Sequence, residues 1–177
     1  NGEVKVFDWD GSSWTAVKEF NGSSNSQLGF SVSLNNNGNI LAISENTFNS
    51  NEGAVTVYEE SAGVWRTIGT TINGNANDKL GTEIKLNASG DRVLVSSIEG
   101  IGLVNLYKNS GNSWSLMGTV NGVNNGDQFG RAIDLNASGD RFIVGAPFHD
   151  NGGVNNTGEA KVYGVLKSCP EPLNITI

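Results

Sequence analysis

The chain carries one histidine, His149, beside Asp150 in the polar loop 148–157, and one cysteine, Cys169, within Ser168-Cys-Pro-Glu-Pro172. A histidine next to a carboxylate has the right proton affinity for general acid–base work near neutral pH. Such work needs a nucleophile and an orienting partner as well. No Ser/His/Asp arrangement can be assembled around His149 from the sequence, and no reactive cysteine sits near it. A lone His of this kind is more often a surface loop residue. Glycoside hydrolysis would need two facing carboxylates. Eighteen acidic residues are available, but no acidic pair interrupts the pattern of the chain. The run Asp8-Trp9-Asp10-Gly11 offers two carboxylates flanking an indole. The candidate ligand contacts are therefore Trp9, Asp8, Asp10, His149 and Asp150, with no catalytic residue and no metal ligand assigned.

Cys169 excludes an internal disulfide framework and a Cys-based zinc site. It either pairs with a cysteine outside this stretch or is a free thiol in a linker. Five Asn-x-Ser/Thr sequons occur, at Asn21, Asn87, Asn136, Asn155 and Asn174. With 25 Asn and 28 Ser or Thr in 177 residues, chance alone supplies about four. Asn87 and Asn136 carry more weight as glycosylation candidates, because they occupy the same turn of successive repeats and that turn reads as exposed.

The formal charge of −7 is spread along the chain without acidic blocks. An acidic surface repels phosphate backbones, so nucleic acid is not an expected partner. No run approaches the roughly 18 apolar residues that span a bilayer, so no membrane insertion is expected. Hydrophobic residues make up 37% and Gly numbers 24, which suits many short strands joined by tight turns.

The elements that must position any site follow a rhythm of about fifty residues. Trp14, Trp65 and Trp114 each follow a strand-like run closed by an aromatic: Gly2-Glu-Val-Lys-Val-Phe7, Gly53-Ala-Val-Thr-Val-Tyr58 and Gly102-Leu-Val-Asn-Leu-Tyr107. Each is followed by an apolar residue and glycine, at Leu28-Gly29, Leu80-Gly81 and Phe129-Gly130. A fourth copy opens at Gly158-Glu-Ala-Lys-Val-Tyr163. In the third copy, residues 102–108 and 113–119 read as strands, and Ala132–Leu135 and Arg141–Gly145 as two more around the turn Asn136-Ala-Ser-Gly-Asp140. Apolar residues alternate with period two, at Ile133 and Leu135 and again at Phe142 and Val144. No segment shows a 3.6-residue stripe, so no substantial helix is expected. Four short antiparallel strands per period is the pattern of a propeller blade. One Trp per repeat at a fixed place in a strand reads as packing between adjacent sheets. Trp9, placed in a turn outside that register, reads as exposed.

Phe129-Gly130 followed by Gly145-Ala-Pro147 spells the FG-GAP signature. Over residues 1–166 the chain resembles the FG-GAP repeats of the integrin α-subunit type seven-bladed β-propeller. The match is literal in the third copy and degenerate in the others, where Leu28-Gly29 goes with Ala42-Ile-Ser44 and Leu80-Gly81 with Val95-Ser-Ser97. The resemblance implies an extracellular or cell-surface protein used in adhesion, ligand binding or surface structures. The family also carries calcium loops of Asp-x-Asp-x-Asp-Gly type. Here the corresponding turns are Asn35–Asn39, Asn87–Asp91 and Asn136–Asp140, with at most one carboxylate each, too few for a hard cation that wants six to eight oxygens. No cofactor is expected; calcium is the one candidate left open, although its usual loop is missing.

The sequence thus predicts an all-β chain made of four-stranded antiparallel β-propeller blades, a partial propeller of three blades plus one strand. Its units are residues 1–51, 52–100 and 101–157, a closing strand at 158–166 that pairs with an earlier blade, and an exit linker at 167–177. Three blades leave two open ends, so the chain reads as an excised piece whose partners are the remaining blades of the same chain or further copies of itself, besides a protein or glycan ligand. The expected function is a non-enzymatic adhesion module or component of a surface appendage, with a carbohydrate-binding, lectin-like propeller as the alternative. An enzyme would require buried acidic residues at the axial channel, which the repeat register does not predict. Ligand contacts are expected in the loops 45–52, 72–79, 97–101, 121–127 and 148–157, on one face.

Overall fold

A computed structural model describes residues 2–165 of the chain. The chain is all-β, and its strands form several antiparallel sheets. Strands β1 (Glu3–Trp9) and β2 (Trp14–Asn21) make a two-stranded sheet. The next sheet runs in the order β3 (Leu28–Leu34), β4 (Ile40–Glu45), β5 (Ala54–Ser61), β6 (Val64–Thr67), with the two-residue β7 (Ile72–Asn73) also paired to β5. A third sheet runs β8 (Ile84–Leu86), β9 (Arg92–Ser97), β10 (Leu103–Asn109), β11 (Trp114–Asn121). The last is β12 (Ala132–Leu135), β13 (Arg141–Ala146), β14 (Glu159–Gly164). The sole helical element among the described residues is α1 (Phe48–Asn51), a single turn with Asn49 and Ser50 in left-handed geometry.

Each of the three larger sheets takes strands from two consecutive sequence periods. The hairpin after the Leu/Phe-Gly dipeptide supplies the first two strands, and the strand opening with glycine supplies the third. Residues 158–166 were expected to reach an earlier unit. Instead β14 pairs with β13, Phe142 opposite Tyr163 and Ala146 opposite Glu159. The continuous apolar stretches of β4 and β9 are buried on both faces because a sheet lies on either side of them.

Three apolar clusters lie between successive sheets. Val4, Val6 and Phe20 pack on Leu41, Ile43, Tyr58 and Trp65. Val55, Val57 and Ile40 pack on Ile84, Val93, Val95 and Trp114. Leu94, Val104 and Leu106 pack on Ile133, Phe142 and Val144. The recurring glycines make room at these junctions. Gly2, Gly53 and Gly102 accept a hydrogen bond from Gly22, Gly74 and Gly122 respectively, each at 3.0 Å. The paired glycines cradle Leu28, Leu80 and Phe129 of the following sheet: a Cβ on Gly102 would sit 2.2 Å from the Phe129 carbonyl oxygen, at φ +78°.

The tryptophans do not share one environment. Trp114 is 8% exposed and its Nε1–H donates to the Ile68 carbonyl at 2.9 Å. Trp65 is half-buried, edge-on to Phe20. Trp14 is 67% exposed, against expectation, because no sheet precedes β1–β2 among the described residues. Trp9 ends β1 rather than lying in a turn; it is exposed as expected and tilts against Trp14 with ring centroids 5.3 Å apart.

Candidate functional site

Antiparallel connectivity sorts the loops into two ends. The turns at 10–13, 35–39, 62–63, 87–91, 110–113 and 136–140 close hairpins at one end. The longer connections, about 22–27, 46–53, 74–79, 98–102, 122–128 and 147–158, gather at the other.

At the short-turn end, side-chain hydrogen bonds tie each Asn turn to itself. Asn136 Nδ2 donates to Asp140 Oδ1 at 2.8 Å and to Ser138 Oγ at 3.0 Å, while the N–H groups of Asp140 and Arg141 donate to its Oδ1. Asn87 repeats the pattern with Asp91, Ser89 and Arg92, and Asn35 with Asn39 and Ile40. Among the described residues no three His, Cys, Asp or Glu side chains converge. Asn87 was expected on an exposed turn; it is 2% exposed, with its amide nitrogen committed to the turn. Asn136 is exposed but bonded in the same way. Asn21 is exposed and donates to Glu19, and Asn155 is exposed. Asn174 and Cys169 lie outside the described residues.

Asp10 also belongs to the short-turn end. Its carboxylate accepts the backbone N–H and hydroxyl groups of Ser12 and Ser13 at 2.8–3.0 Å. These bonds, the Ser13 N–H first, hold its carboxyl far below the usual range. It is a turn cap. Asp8 and Trp9 precede it on β1, so the two groups of sequence candidates, 8–10 and 149–150, stand at opposite ends of the sheets and form no common site.

At the loop end His149 finds a partner that sequence proximity did not suggest. Its Nδ1 lies 2.8 Å from Asp127 Oδ2, whereas Asp150 accepts the Asn156 N–H at 2.7 Å. The carboxylate side chain is 8% exposed and the imidazole 20%. Asn124 Nδ2 donates to the same Oδ2 at 3.1 Å. The hydrogen bond from His149 is the chief reason the Asp127 carboxyl titrates below its ordinary value, aided by Asn124 and Lys161. The His149 backbone is fixed on both sides: its N–H donates to Ala146, and its carbonyl accepts from Gly158 N–H and Thr157 Oγ1. An ionised carboxylate at Nδ1 selects the tautomer with the proton there, which leaves Nε2 as an acceptor. Asp78, one period earlier, caps its own loop through Asn75 in the same manner. What the third loop adds is the histidine. The sequence signal for Asp127 was this correspondence: Asp78 and Asp127 both stand two residues before the Leu/Phe-Gly dipeptide.

The same end carries an open groove of about 760 Å³ between 23–27 and 47–51, lined by Ser, Asn, Gln and Thr side chains with Phe48. It belongs to the first loop pair and does not include the His149–Asp127 pair.

No protein-family model and no curated protein sequence matches the chain. Similar solved structures include a protein from Bacteroides uniformis described as a candidate 6-phosphogluconolactonase, 12% identical, with a TM-score of 0.61. The likeness is one of fold. It covers 92% of this chain and 49% of that one, so the chain spans about half the length of that protein. It corrects the functional expectation. A sheet arrangement taken as the mark of a non-enzymatic adhesion or appendage module, or of a lectin-like one, occurs in a protein described as an enzyme. Neither the non-enzymatic reading nor its carbohydrate-binding alternative stands on this fold.

Proposed function

We propose that the sheets are blades of an incomplete β-propeller of FG-GAP type, and that its loop end carries a hydrolytic site for esters of the lactone class. Three strands support the blade reading. β3, β8 and β12 are each first in their sheet and lie side by side, β3 against β8 and β8 against β12. That is how the innermost strands of blades stand around an axis. Closing the ring requires further blades, from the same chain or from other copies.

The observation that carries the chemical reading is the 2.8 Å contact between His149 Nδ1 and the buried Asp127 carboxylate. Asp127 orients the ring and stabilises the imidazolium that forms when Nε2 takes a proton. In the proposed step a water yields its proton to Nε2 while its oxygen attacks the lactone carbonyl carbon. The ring C–O bond then breaks, and the proton returns to the leaving alkoxide. The lactone class is suggested by the description of the similar Bacteroides protein, and the dyad supplies the base such a reaction needs.

The test is hydrolysis of 6-phosphogluconolactone and of a neutral δ-lactone by the purified chain, followed by pH-stat against the spontaneous rate. A positioned base contributes about 10²–10⁴-fold, so His149→Ala should remove all but a hundredth of the enzymatic rate. Asp127→Asn should lower kcat more than it raises KM. A rate no greater than the spontaneous one, or one untouched by His149→Ala, refutes the assignment.

A further inference from the structure

Asparagine precedes glycine at Asn1, Asn21, Asn37, Asn73, Asn121, Asn125 and Asn151. All but the first of these steps lie in the described residues. In most of them the glycine N–H is engaged. Gly22, Gly74 and Gly122 donate to the carbonyls of Gly2, Gly53 and Gly102 at 3.0 Å, and Gly38 donates to Asn35 at 3.2 Å. Two steps differ. The N–H groups of Gly126 and Gly152 bond to nothing among the described residues. Both steps flank the pair at the loop end: Asn125 stands two residues before Asp127, and Asn151 two residues after His149.

An unengaged glycine amide after asparagine is a nucleophile beside an electrophile. Glycine has no Cβ to shield its N–H, so that nitrogen can attack the Asn Cγ. The new N–Cγ bond closes a succinimide ring and the Cγ–Nδ2 bond breaks. The peptide nitrogen gives up its proton, and the departing amide leaves as ammonia. Water then opens the ring at one of its two carbonyls. Cleavage at Cγ yields aspartate in an ordinary chain. Cleavage at the main-chain carbonyl yields isoaspartate, with the backbone running through Cγ and one methylene longer. The step needs an Asn free to turn towards the next nitrogen. Asn125 is exposed, and neither it nor Gly126 makes a hydrogen bond among the described residues. Gly126, at φ +90°, has open space around it. Asn151 is more restrained, because its N–H and carbonyl both bond Val154, at 3.1 and 3.0 Å.

We propose that Asn125 is a site of spontaneous deamidation, and that the isoaspartate formed there takes Asp127 out of register with His149. Asn124 Nδ2 and His149 Nδ1 meet the same Asp127 Oδ2 at 3.1 and 2.8 Å. The loop is anchored on both sides of Asn125. Gly122 is tied to Gly102, and the Asp127 carbonyl accepts the Phe148 N–H at 3.2 Å. Between those anchors an inserted methylene adds about 1.5 Å of chain, against a hydrogen-bond window of about 0.5 Å. The contact therefore carries a clock whose rate is set by the loop and not by a ligand. The proposal concerns the contact alone, so it holds or fails whether or not the pair hydrolyses lactones.

The test ages the whole chain in mildly alkaline buffer and follows conversion by tandem mass spectrometry of its tryptic peptides. In parallel, NMR follows the C2 proton of His149, the sole histidine. Asn125 should convert at least about tenfold faster than Asn21, Asn73 or Asn121, the factor that about 1.4 kcal/mol of retained hydrogen bonding imposes. Asn151 should fall between them. In unfolding urea these steps should draw level. The His149 signal should move in step with isoaspartate at position 125, and Asn125→Gln should remove that change. Freshly purified Asn125→Asp, which adds the charge without the methylene, should keep the parent signal. Conversion of Asn125 no faster than the three tied steps overturns the proposal. So does a ranking that persists in urea, which would make it a property of neighbouring residues and not of the fold. A histidine signal that ignores the isoaspartate, or that moves equally in Asn125→Asp, overturns the link to Asp127 spacing.

Discussion

Trp14 and Trp114 occupy one repeat position in two environments, so replacing each with alanine asks how far neighbouring sheets, rather than strand position, set stability. Trp114 is 8% exposed, lies against Gly69 and donates to the Ile68 carbonyl. Truncating a buried Trp costs about 3–5 kcal/mol through lost transfer energy and the cavity left behind. The orphaned Ile68 carbonyl adds about 1 kcal/mol. Trp14 is 67% exposed, and its aromatic contact is Trp9 at 5.3 Å, worth about 0.5–1.5 kcal/mol. Trp114→Ala should therefore lose about 4 kcal/mol or more, and Trp14→Ala less than about 1.5 kcal/mol. Urea unfolding followed by far-UV circular dichroism, at a concentration where the chain is monomeric, reads both. In a domain of this size the first change corresponds to a fall in Tm of about 10 °C or more and the second to a few degrees. Equal losses, or a larger loss at Trp14, would refute the claim that packing between sheets is the main source of stability.

Gly102→Ala should cost at least about 2 kcal/mol in the same measurement, since it combines a left-handed backbone with a clash against Phe129; Gly111→Ala, at φ +90° with open space around it, should cost only the conformational part. Asn87→Ala should cost about 2–3 kcal/mol, because it strips Arg92 N–H and Asp91 of their partner in a buried turn, and glycan should be absent from Asn87 when the chain is secreted from eukaryotic cells, as checked by peptide mass mapping. Asp127 titrates lower in the folded chain than in the unfolded one, so its contribution is complete above the unfolded carboxyl value and is lost as pH falls through the folded value. The stability gap between the parent and His149→Ala should accordingly narrow on acidification below the ordinary carboxylate range; a gap that widens there would contradict the assigned pair.

Period-two alternation and the Asn-x-x-Gly turns made the strands of the third period legible, because both signals act through near neighbours. Ala132–Leu135 is a strand as read, and 141–145 falls within β13. The phase of the sheets was not legible. Nothing in Leu28-Gly29 or Gly53 says that the strands following them join one sheet, since that depends on the antiparallel pairing of β4 with β5 across the boundary between two periods. The exposure of Trp14 escaped for the same reason: sequence shows the residue, and the neighbouring sheet decides its burial. At the site, Asp150 drew attention by adjacency, while the loop fold delivers Asp127 from 22 residues away. Asp10 shows the converse. Its carboxylate suggested a ligand contact, and the two serines after it consume that capacity locally.

Because each of the three larger sheets borrows strands from two neighbouring periods, no boundary between those periods is a clean seam. Removing residues 54–102 would bring Gly53 up to Leu103 and let β10 take over the place of β5 on β4, since both open after a glycine and pair in the same register. Growth or shrinkage of such a chain by one full period therefore leaves its sheets whole, whereas a change of half a period strands a hairpin without a partner.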